Sequence, residues 1–365
     1  MKILICGATG SIGKQSLEVI KLTDHEVVGF VFNKNEEVMK QILNNFPNVL
    51  VYSPINKEIS NVKNLNELFE KSNPDIVLNA VTGFAGLQIT LLSLYYKKNI
   101  LLANKESLVV AGWYVMNYAK KHNLTILPID SEHCSVFDIL KNSNKKIKKI
   151  IITASGGPFY NLDSKELENV TFNDAINHPK WKMGYKISID SATLMNKCFE
   201  LIEAYFLFKN KNVKAVYHKE TLVHGMVEFE DNSIFASLSN NDMKLPIAQA
   251  IANFENFKPV INSIDLNNLT LSFGEIDENK WLPIKWAYEV INNDNKTIPV
   301  ILNRANEESI ELFKEGKIKF NQIIEIISMC INKFYSYNVN TIKDVYILDS
   351  IIRKHVREWA LCQDL

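Results

Sequence analysis

No apolar run in this chain reaches the roughly 18 residues that a membrane-spanning helix needs, so no transmembrane segment is expected. Neither sign of charge is in excess: Lys plus Arg and Asp plus Glu both number 41. That balance removes the basic field of a nucleic-acid or anionic-membrane binder, and no such partner is expected. The five cysteines (Cys6, Cys134, Cys198, Cys330, Cys362) are scattered, odd in number and form no C-x-x-C pair. This argues against a disulfide framework and for reduced thiols in a cytoplasmic compartment. The chain enters a strand candidate at once, with no h-region or cleavage site, so no signal or transit peptide is expected. Internal repeats and low-complexity segments are also missing. What is present is ordinary for a soluble globular protein: 365 residues, 47% hydrophobic and 22% charged, enough for a large core and two or three domains.

Over the first 130 residues strand-like and helix-like stretches alternate. Strand candidates are Lys2–Cys6, Glu26–Phe32, Asp75–Val81, Ile100–Ala103 and Thr125–Ile129, with helical patterns such as Lys14–Lys21 and Leu87–Lys97 between them. That alternation predicts an α/β, Rossmann-like parallel-sheet domain over 1–130. Residues 131–255 read as an α+β domain. It has strands at Lys149–Ala154, Ala215–Tyr217, Val223–Phe229 and Ile234–Leu238, and a helix over about Ala192–Phe208. An Asn-rich stretch with Pro259, over 256–280, reads as a linker. Residues 281–365 form a C-terminal helical domain by periodicity, with helices at Ile284–Asn292, Val300–Lys314, Phe320–Phe334 and Ile342–Leu361.

Doubly wound sheets bind ligands at the carboxyl ends of their strands. Here those ends carry Gly7, Asn33, Thr82-Gly83, Asn104-Lys105 and Asp130. Gly7-Ala8-Thr9-Gly10-Ser11-Ile12-Gly13 follows the first strand and opens a helix. Glycines let such a turn close and let backbone approach a pyrophosphate, while the helix start offers free N–H groups and a positive dipole end. The spacing is G-x-x-G-x-x-G rather than G-x-G-x-x-G, so a purely structural turn is the competing reading. Asn33-Lys34-Asn35 ends the second strand. An acid at that tip would take the 2′-hydroxyl of NAD. A lysine there instead favours the 2′-phosphate of NADPH, although Glu36-Glu37 follows and Lys34 also suits a solvated loop.

Asp130 and Glu132 stand i, i+2 at the end of the fifth strand candidate. In an extended segment that spacing puts both on one side. Two like charges held that close repel unless a cation lies between them, and a divalent metal is the obvious one. The spacing alone fits a solvated strand end equally well. A second cluster opens the helix near 192, with Asp190 or Ser191 as a plausible N-cap. Asn196, Lys197 and Glu200 share one face, and Glu203 continues it. An exposed helix with an intrahelical ion pair is the bland alternative. Asp130, Glu132 and Glu200 together make three hard oxygen donors, which suit Mg²⁺ or Mn²⁺ and not Zn²⁺. Ser155-Gly156-Gly157 after a strand can present a hydroxyl and N–H groups to an anion. With Ser191, Asn196 and Lys197, Ser155 makes a small phosphate pocket. His178-Pro179-Lys180-Trp181-Lys182-Met183-Gly184 reads as a water-excluding lid or as core packing.

These residues carry a resemblance. Gly10–Gly13, Leu101-Leu102-Ala103-Asn104-Lys105-Glu106-Ser107-Leu108, Pro128-Ile129-Asp130-Ser131-Glu132-His133, Ser155-Gly156-Gly157-Pro158-Phe159, His178-Pro179-x-Trp181, Lys186–Thr193 and Asn303-Arg304-Ala305-Asn306-Glu307 stand in a recognisable order. Over its whole length the chain resembles the 1-deoxy-D-xylulose 5-phosphate reductoisomerases. That family makes 2-C-methyl-D-erythritol 4-phosphate for non-mevalonate isoprenoid synthesis. The resemblance implies a sugar-phosphate substrate, NADPH, Mg²⁺ or Mn²⁺ (with Co²⁺ as a further candidate) and a homodimer. It implies Asp130, Glu132 and Glu200 as metal ligands, with Lys105 beside the reacting atoms. Ser131, Ser155, His178, Trp181, Ser191, Asn196 and Lys197 would bind substrate. Thr9, Gly10, Ser11, Ile12, Asn33, Lys34, Asn35, Asn104, Glu106 and Gly184 would line the cofactor. His224 matches a family histidine whose role is open, and Cys198 stands where the family usually has glycine. Two other readings compete: a semialdehyde dehydrogenase-like oxidoreductase with Cys134 as nucleophile, and a non-catalytic NADP-binding sensor.

Overall fold

The computed structural model describes residues 1–160, 162, 164–177, 184–253 and 257–363. The chain alternates β1 (Lys2–Cys6), α1 (Ser11–Ile20), β2 (Glu26–Val31), α2 (Glu36–Leu43), β3 (Leu50–Tyr52), α3 (Leu65–Ser72), β4 (Ile76–Asn79), α4 (Ala85–Tyr95), β5 (Asn99–Leu102), α5 (Lys105–Lys121), β6 (Ile126–Pro128) and α6 (Ser131–Lys141). The strands form one parallel sheet in the order β3-β2-β1-β4-β5-β6. β1, β4 and β5 are nearly continuous apolar runs because both faces of the sheet are covered. Chain direction switches between β1 and β4, and that switch point is where such sheets open a ligand crevice. The expected doubly wound domain is therefore present. β3, three residues long at the sheet edge, is too short to carry a periodic signal.

β7 (Ile147–Ala154) leads into α7 (Ser164–Leu167), α8 (Phe172–Ile176), α9 (Tyr185–Ala192) and α10 (Met195–Phe208). β8 (Val213–Tyr217), β9 (Val223–Phe229) and β10 (Ile234–Leu238) follow, then α11 (Lys244–Ile251). The second sheet runs β10-β9-β7-β8, parallel only between β7 and β8. The chain closes with α12 (Leu282–Asn293), α13 (Thr297–Lys314), α14 (Gln322–Phe334) and α15 (Ile342–Gln363), as the periodicity over 281–365 predicts. An ionic cluster ties α13 to α15: Arg304 pairs with Asp349 at 2.7 Å and Arg357 with Glu308 at 2.6 Å.

Packing divides the chain into two compact units. One comprises Met1–Ser107, Val115–Asn144 and Asp242–Ile264; the other comprises Leu108–Tyr114, Lys145–Asn241 and Asp265–Leu365. α6 and α11, both beyond residue 130, thus belong with the six-stranded sheet. Ile247, Ala250 and Ile251 of α11 share its core with Leu17, Ile129 and Cys134. The stretch over 257–280 holds no helix or strand among the described residues, only a bridge from Gly274 to Tyr217.

Two local expectations are corrected. The carboxylates near 130 are not on an extended segment: the strand ends at Pro128, Asp130 is the N-cap residue of α6, and Glu132 lies in its first turn. The helix near 192 is not capped by Asp190 or Ser191, which lie inside α9. The chain breaks at Leu194, in the left-handed region at φ 60°, before α10 begins. No periodic pattern announces a one-residue reversal of that kind.

Candidate active site

The loop after β1 owes its shape to two glycines. Gly7 has φ +90°, and a Cβ there would sit 2.4 Å from the Ala80 carbonyl oxygen at the end of β4. At Gly13 a Cβ would meet the Gly7 oxygen at 2.4 Å and Ala8 at 2.7 Å. The start of α1 is thereby pressed against the loop. Gly10 is the N-cap, with no side chain bonding the first-turn N–H groups. Thr9, Gly10, Ser11 and Ile12 therefore line a helix start whose exposed backbone donors and dipole suit a pyrophosphate.

At the tip of β2, Asn33, Lys34 and Asn35 are all exposed. Asn35 caps α2 by accepting from the Val38 N–H at 3.2 Å. The acidic pair that clouds the reading of Lys34 is partly spent. Glu36 is held by Lys40 and by the Asn56 amide at 2.7 Å, and the Lys40 bond chiefly lowers its pKa.

Asn104 follows β5 and is almost wholly consumed by the fold. Its amide donates to the Val81 oxygen at 2.7 Å, the Gly83 oxygen at 2.9 Å and Glu106 at 2.8 Å, and its oxygen caps α5 at the Ser107 N–H. Gly86 is glycine because a Cβ would strike this amide at 2.2 Å. The side chains of Asn104 and Glu106 thus lock the loops after β4 and β5 and orient the next residue. Lys105 reaches across to Asp130, Nζ to Oδ2 2.6 Å, with both side chains mostly buried. Beside them the Ser131 hydroxyl donates to Glu132 at 2.7 Å. One unit therefore brings Lys105, Asp130, Ser131 and Glu132 together at the carboxyl ends of adjacent parallel strands.

The other unit assembles the second set. The helix carrying Asn196, Lys197 and Glu200 is no exposed surface helix, since Lys197 is 4% and Glu200 1% exposed. Lys197 and Asn196 both bond to the Glu200 carboxylate. The loop after β7 takes φ +82° at Gly156 and +66° at Gly157, which glycine alone adopts freely. A Cβ on Gly157 would lie 2.6 Å from the Ser191 oxygen, so this loop abuts the end of α9. Ser155 accepts from the Gly157 N–H at 3.3 Å. Ser155, Ser191, Asn196 and Lys197 hence lie on neighbouring segments. Cys198 points the other way: it is fully buried, bonds the backbone of Ala287 in α12, and burial raises its thiol pKa strongly. Its side chain does not crowd the Asn196–Glu200 face.

His178 and Trp181 lie outside the described residues. Gly184 is the exposed N-cap of α9, with nothing within 4 Å of a Cβ, so local packing does not demand glycine there. His224 is buried and bonds the Ser239 oxygen at 3.3 Å. The nucleophile reading of Cys134 loses its support. The sulfur is 1% exposed and donates to the Pro128 oxygen at 2.8 Å, a buried thiol turned to the backbone and not to solvent. Sequence reasoning missed Lys186, Asp190 and Asn306 as a cluster. Lys186 pairs with Asp190 at 2.8 Å and Asn306 donates to it at 2.6 Å. The i, i+4 spacing of Lys186 and Asp190 was the available signal.

The donor sets lead to the relatives. The family model described as 1-deoxy-D-xylulose 5-phosphate reductoisomerase matches residues 3–112, and models of its C-terminal domain match 126–208 and 238–355. The 1-deoxy-D-xylulose 5-phosphate reductoisomerase of Malacoplasma penetrans is 51% identical over 98% of this chain and 95% of its own length. That of Mycoplasmoides gallisepticum is 41% identical over 97% of this chain and 96% of its own. A solved DOX-P reductoisomerase in complex with NADPH, fosmidomycin and magnesium superimposes with a TM-score of 0.91 at 34% identity, covering 100% of this chain and 99% of that one. The Zymomonas mobilis enzyme in complex with NADPH gives a TM-score of 0.85 at 30% identity, covering 98% of each chain. The chain belongs to the 1-deoxy-D-xylulose 5-phosphate reductoisomerase family.

Proposed function

We infer that this protein converts 1-deoxy-D-xylulose 5-phosphate to 2-C-methyl-D-erythritol 4-phosphate with NADPH and a divalent metal. The observation that carries the reading is its near-full-length match to the reductoisomerases, which takes in the nucleotide loop, the carboxylates and the Asn196–Lys197 pair as one set. Relatives solved with NADPH and magnesium support the cofactors.

Asp130, Glu132 and Glu200 are the residues we assign to the metal. The donors are all carboxylate oxygens, the chemistry that a hard cation selects. Lysine ammonium groups already sit against Asp130 and Glu200, so both oxygens lie where positive charge is favoured. The bound ion supplies a Lewis acid for the ketone and hydroxyl oxygens during rearrangement, and NADPH supplies the hydride. Lys105 holds Asp130 in place and offers the nearby substrate oxygens a proton donor. Ser131 orients Glu132. Ser155, Ser191, Asn196 and Lys197 grip the phosphate, which is remote from the bond changes, so its binding energy serves orientation. His178 and Trp181 are assigned to the substrate side on the family motif. Thr9, Gly10, Ser11 and Ile12 receive the cofactor diphosphate; Asn33, Lys34 and Asn35 its ribose phosphate; Asn104, Glu106 and Gly184 complete its surroundings. In functional terms 1–130 is the NADPH-binding segment, 131–255 the catalytic, metal-binding and dimerisation segment, 256–280 a linker and 281–365 the C-terminal helical domain.

We further propose a cytoplasmic homodimer. Five free thiols, four of them buried, support a reducing compartment. Among the described residues β10 pairs only with β9, and it exposes Ile234, Phe235 and Leu238, an edge that a second copy would cover. The direct test is NADPH oxidation with deoxyxylulose phosphate, with and without Mg²⁺ or Mn²⁺. Turnover that requires both is expected, and no metal-dependent signal refutes the reading. Lys34→Ala is expected to raise the NADPH KM about tenfold, the ~1.4 kcal/mol of one charge-assisted contact, while leaving the NADH KM alone. Equal changes for both cofactors would remove Lys34 from the 2′-phosphate.

A further inference from the structure

α9 and α13 meet across a seam that is polar where helix seams are ordinarily apolar. Ser188 and Asp190 on α9, and Asn303, Asn306 and Ser309 on α13, are all buried. Asn306 Nδ2 donates to Asp190 Oδ1 at 2.6 Å, and Lys186 Nζ to Asp190 Oδ2 at 2.8 Å. One turn away the Tyr185 hydroxyl donates to Glu311. The pairs 185–311 and 190–306 are five residues apart on each helix and run in opposite directions. Two bonds separated by about 7.5 Å along antiparallel axes fix both sliding and rotation of α9 on α13.

This seam is poorly made for stability alone. A buried ion pair is commonly matched or exceeded by apolar residues of the same volume. The Ser188 and Ser309 hydroxyls and Asn306 Oδ1 have no hydrogen-bond partner among the described residues, and buried groups of that kind cost stability. What the seam provides is register. That register passes directly to the phosphate-binding residues. Ser191 follows Asp190, and Thr193 Oγ1 donates back to the Ile189 oxygen at 3.0 Å. The Leu194 N–H donates to the Ser191 oxygen at 3.3 Å, and the Cys198 N–H to the Leu194 oxygen at 3.0 Å. Only Thr193 and Leu194 separate the helices, and Leu194 holds a left-handed conformation that a leucine adopts only under constraint. A shift of α9 therefore moves Ser191 and the start of α10, with Asn196 and Lys197, as one body.

We propose that Asp190, clamped by Asn306, is a positioning residue for the substrate phosphate. The inference rests on the assignment of Ser191, Asn196 and Lys197 to that phosphate. Asp190→Asn and Asn306→Ala are expected to raise the KM for deoxyxylulose phosphate at least tenfold, with kcat within threefold and the NADPH KM within twofold of the parent. The double variant Asp190→Asn/Asn306→Asp restores the hydrogen bond and is expected to recover most of the KM. Tyr185→Phe, at the exposed rim of the seam, tests the same axis without a buried change and is expected to raise that KM two- to fourfold. Folding is checked by circular dichroism, and Tyr185→Phe decides if the buried variants do not fold. An unchanged substrate KM in folded variants overturns the proposal, as does a parallel loss in kcat and NADPH KM. An inactive parent protein overturns the substrate reading itself, and this inference with it.

Discussion

Glu200→Gln is expected to lower kcat/KM by three orders of magnitude or more while the protein stays folded. The substitution keeps the shape of the side chain and its bond with Asn196, but removes the charge that a divalent ion needs. A thousandfold loss corresponds to about 4 kcal/mol of transition-state stabilisation, within the range attributed to Lewis-acid assistance. Asp130→Asn is expected to behave alike, because Lys105 retains a carbonyl oxygen to bond. Titrating Mg²⁺ and Mn²⁺ against initial rates separates a weakened metal site from a lost one. Rates within tenfold of the parent at equal metal would remove Glu200 from the ligand set. Because Glu200 is 1% exposed and bonded to Lys197, the amide variant also removes the charge from that buried pair. A lower melting temperature is expected alongside the lost rate.

The second large effect is expected at Gly13. A methyl group there meets the loop backbone, 2.4 Å from the Gly7 oxygen and 2.7 Å from Ala8 Cα and its oxygen. No side chain can rotate away, so α1 and its loop must separate. Overpacking of this kind costs about 1–3 kcal/mol, and a displacement of about 1 Å at a binding loop can cost a hundredfold. Gly13→Ala is therefore expected to weaken NADPH binding about a hundredfold, read by quenching or enhancement of cofactor fluorescence. An affinity within threefold of the parent would show that α1 does not hold the diphosphate. The same clash explains why the G-x-x-G-x-x-G spacing is as informative as its more familiar relative. The third glycine serves the helix-on-loop contact.

Much of this protein was legible because its signals are local. Runs such as Ile3-Leu4-Ile5 and Ile100-Leu101-Leu102 mark buried parallel strands wherever they occur. Glycines at Gly7, Gly10 and Gly13 mark a turn followed by a helix start. The shared face of Asn196, Lys197 and Glu200 follows from helical spacing alone, although their burial does not. Composition, charge balance and cysteine usage argue against membrane, nucleic-acid and disulfide-rich classes without reference to any element.

The rest depended on contacts between residues far apart in the chain. The bond between Lys105 and Asp130 exists because β5 and β6 lie side by side, which spacing cannot express. The start of α6 at Ser131 turned an apparent strand end into a helix cap, so the i, i+2 argument for Asp130 and Glu132 fell although both residues remain at the sheet's working edge. Leu194, held in the left-handed region, sets the start of the predicted helix near 192 at Met195 and separates it from α9, which the pattern did not announce. Asn306 reached Asp190 across 116 positions of sequence. The sequence by itself determined which side chains were available and where the longer strands and helices run, since those follow from periodicity and backbone chemistry. Only the tertiary structure decided which carboxylate each lysine meets and which helix Asp190 bonds to, because burial and pairing are properties of the packed chain.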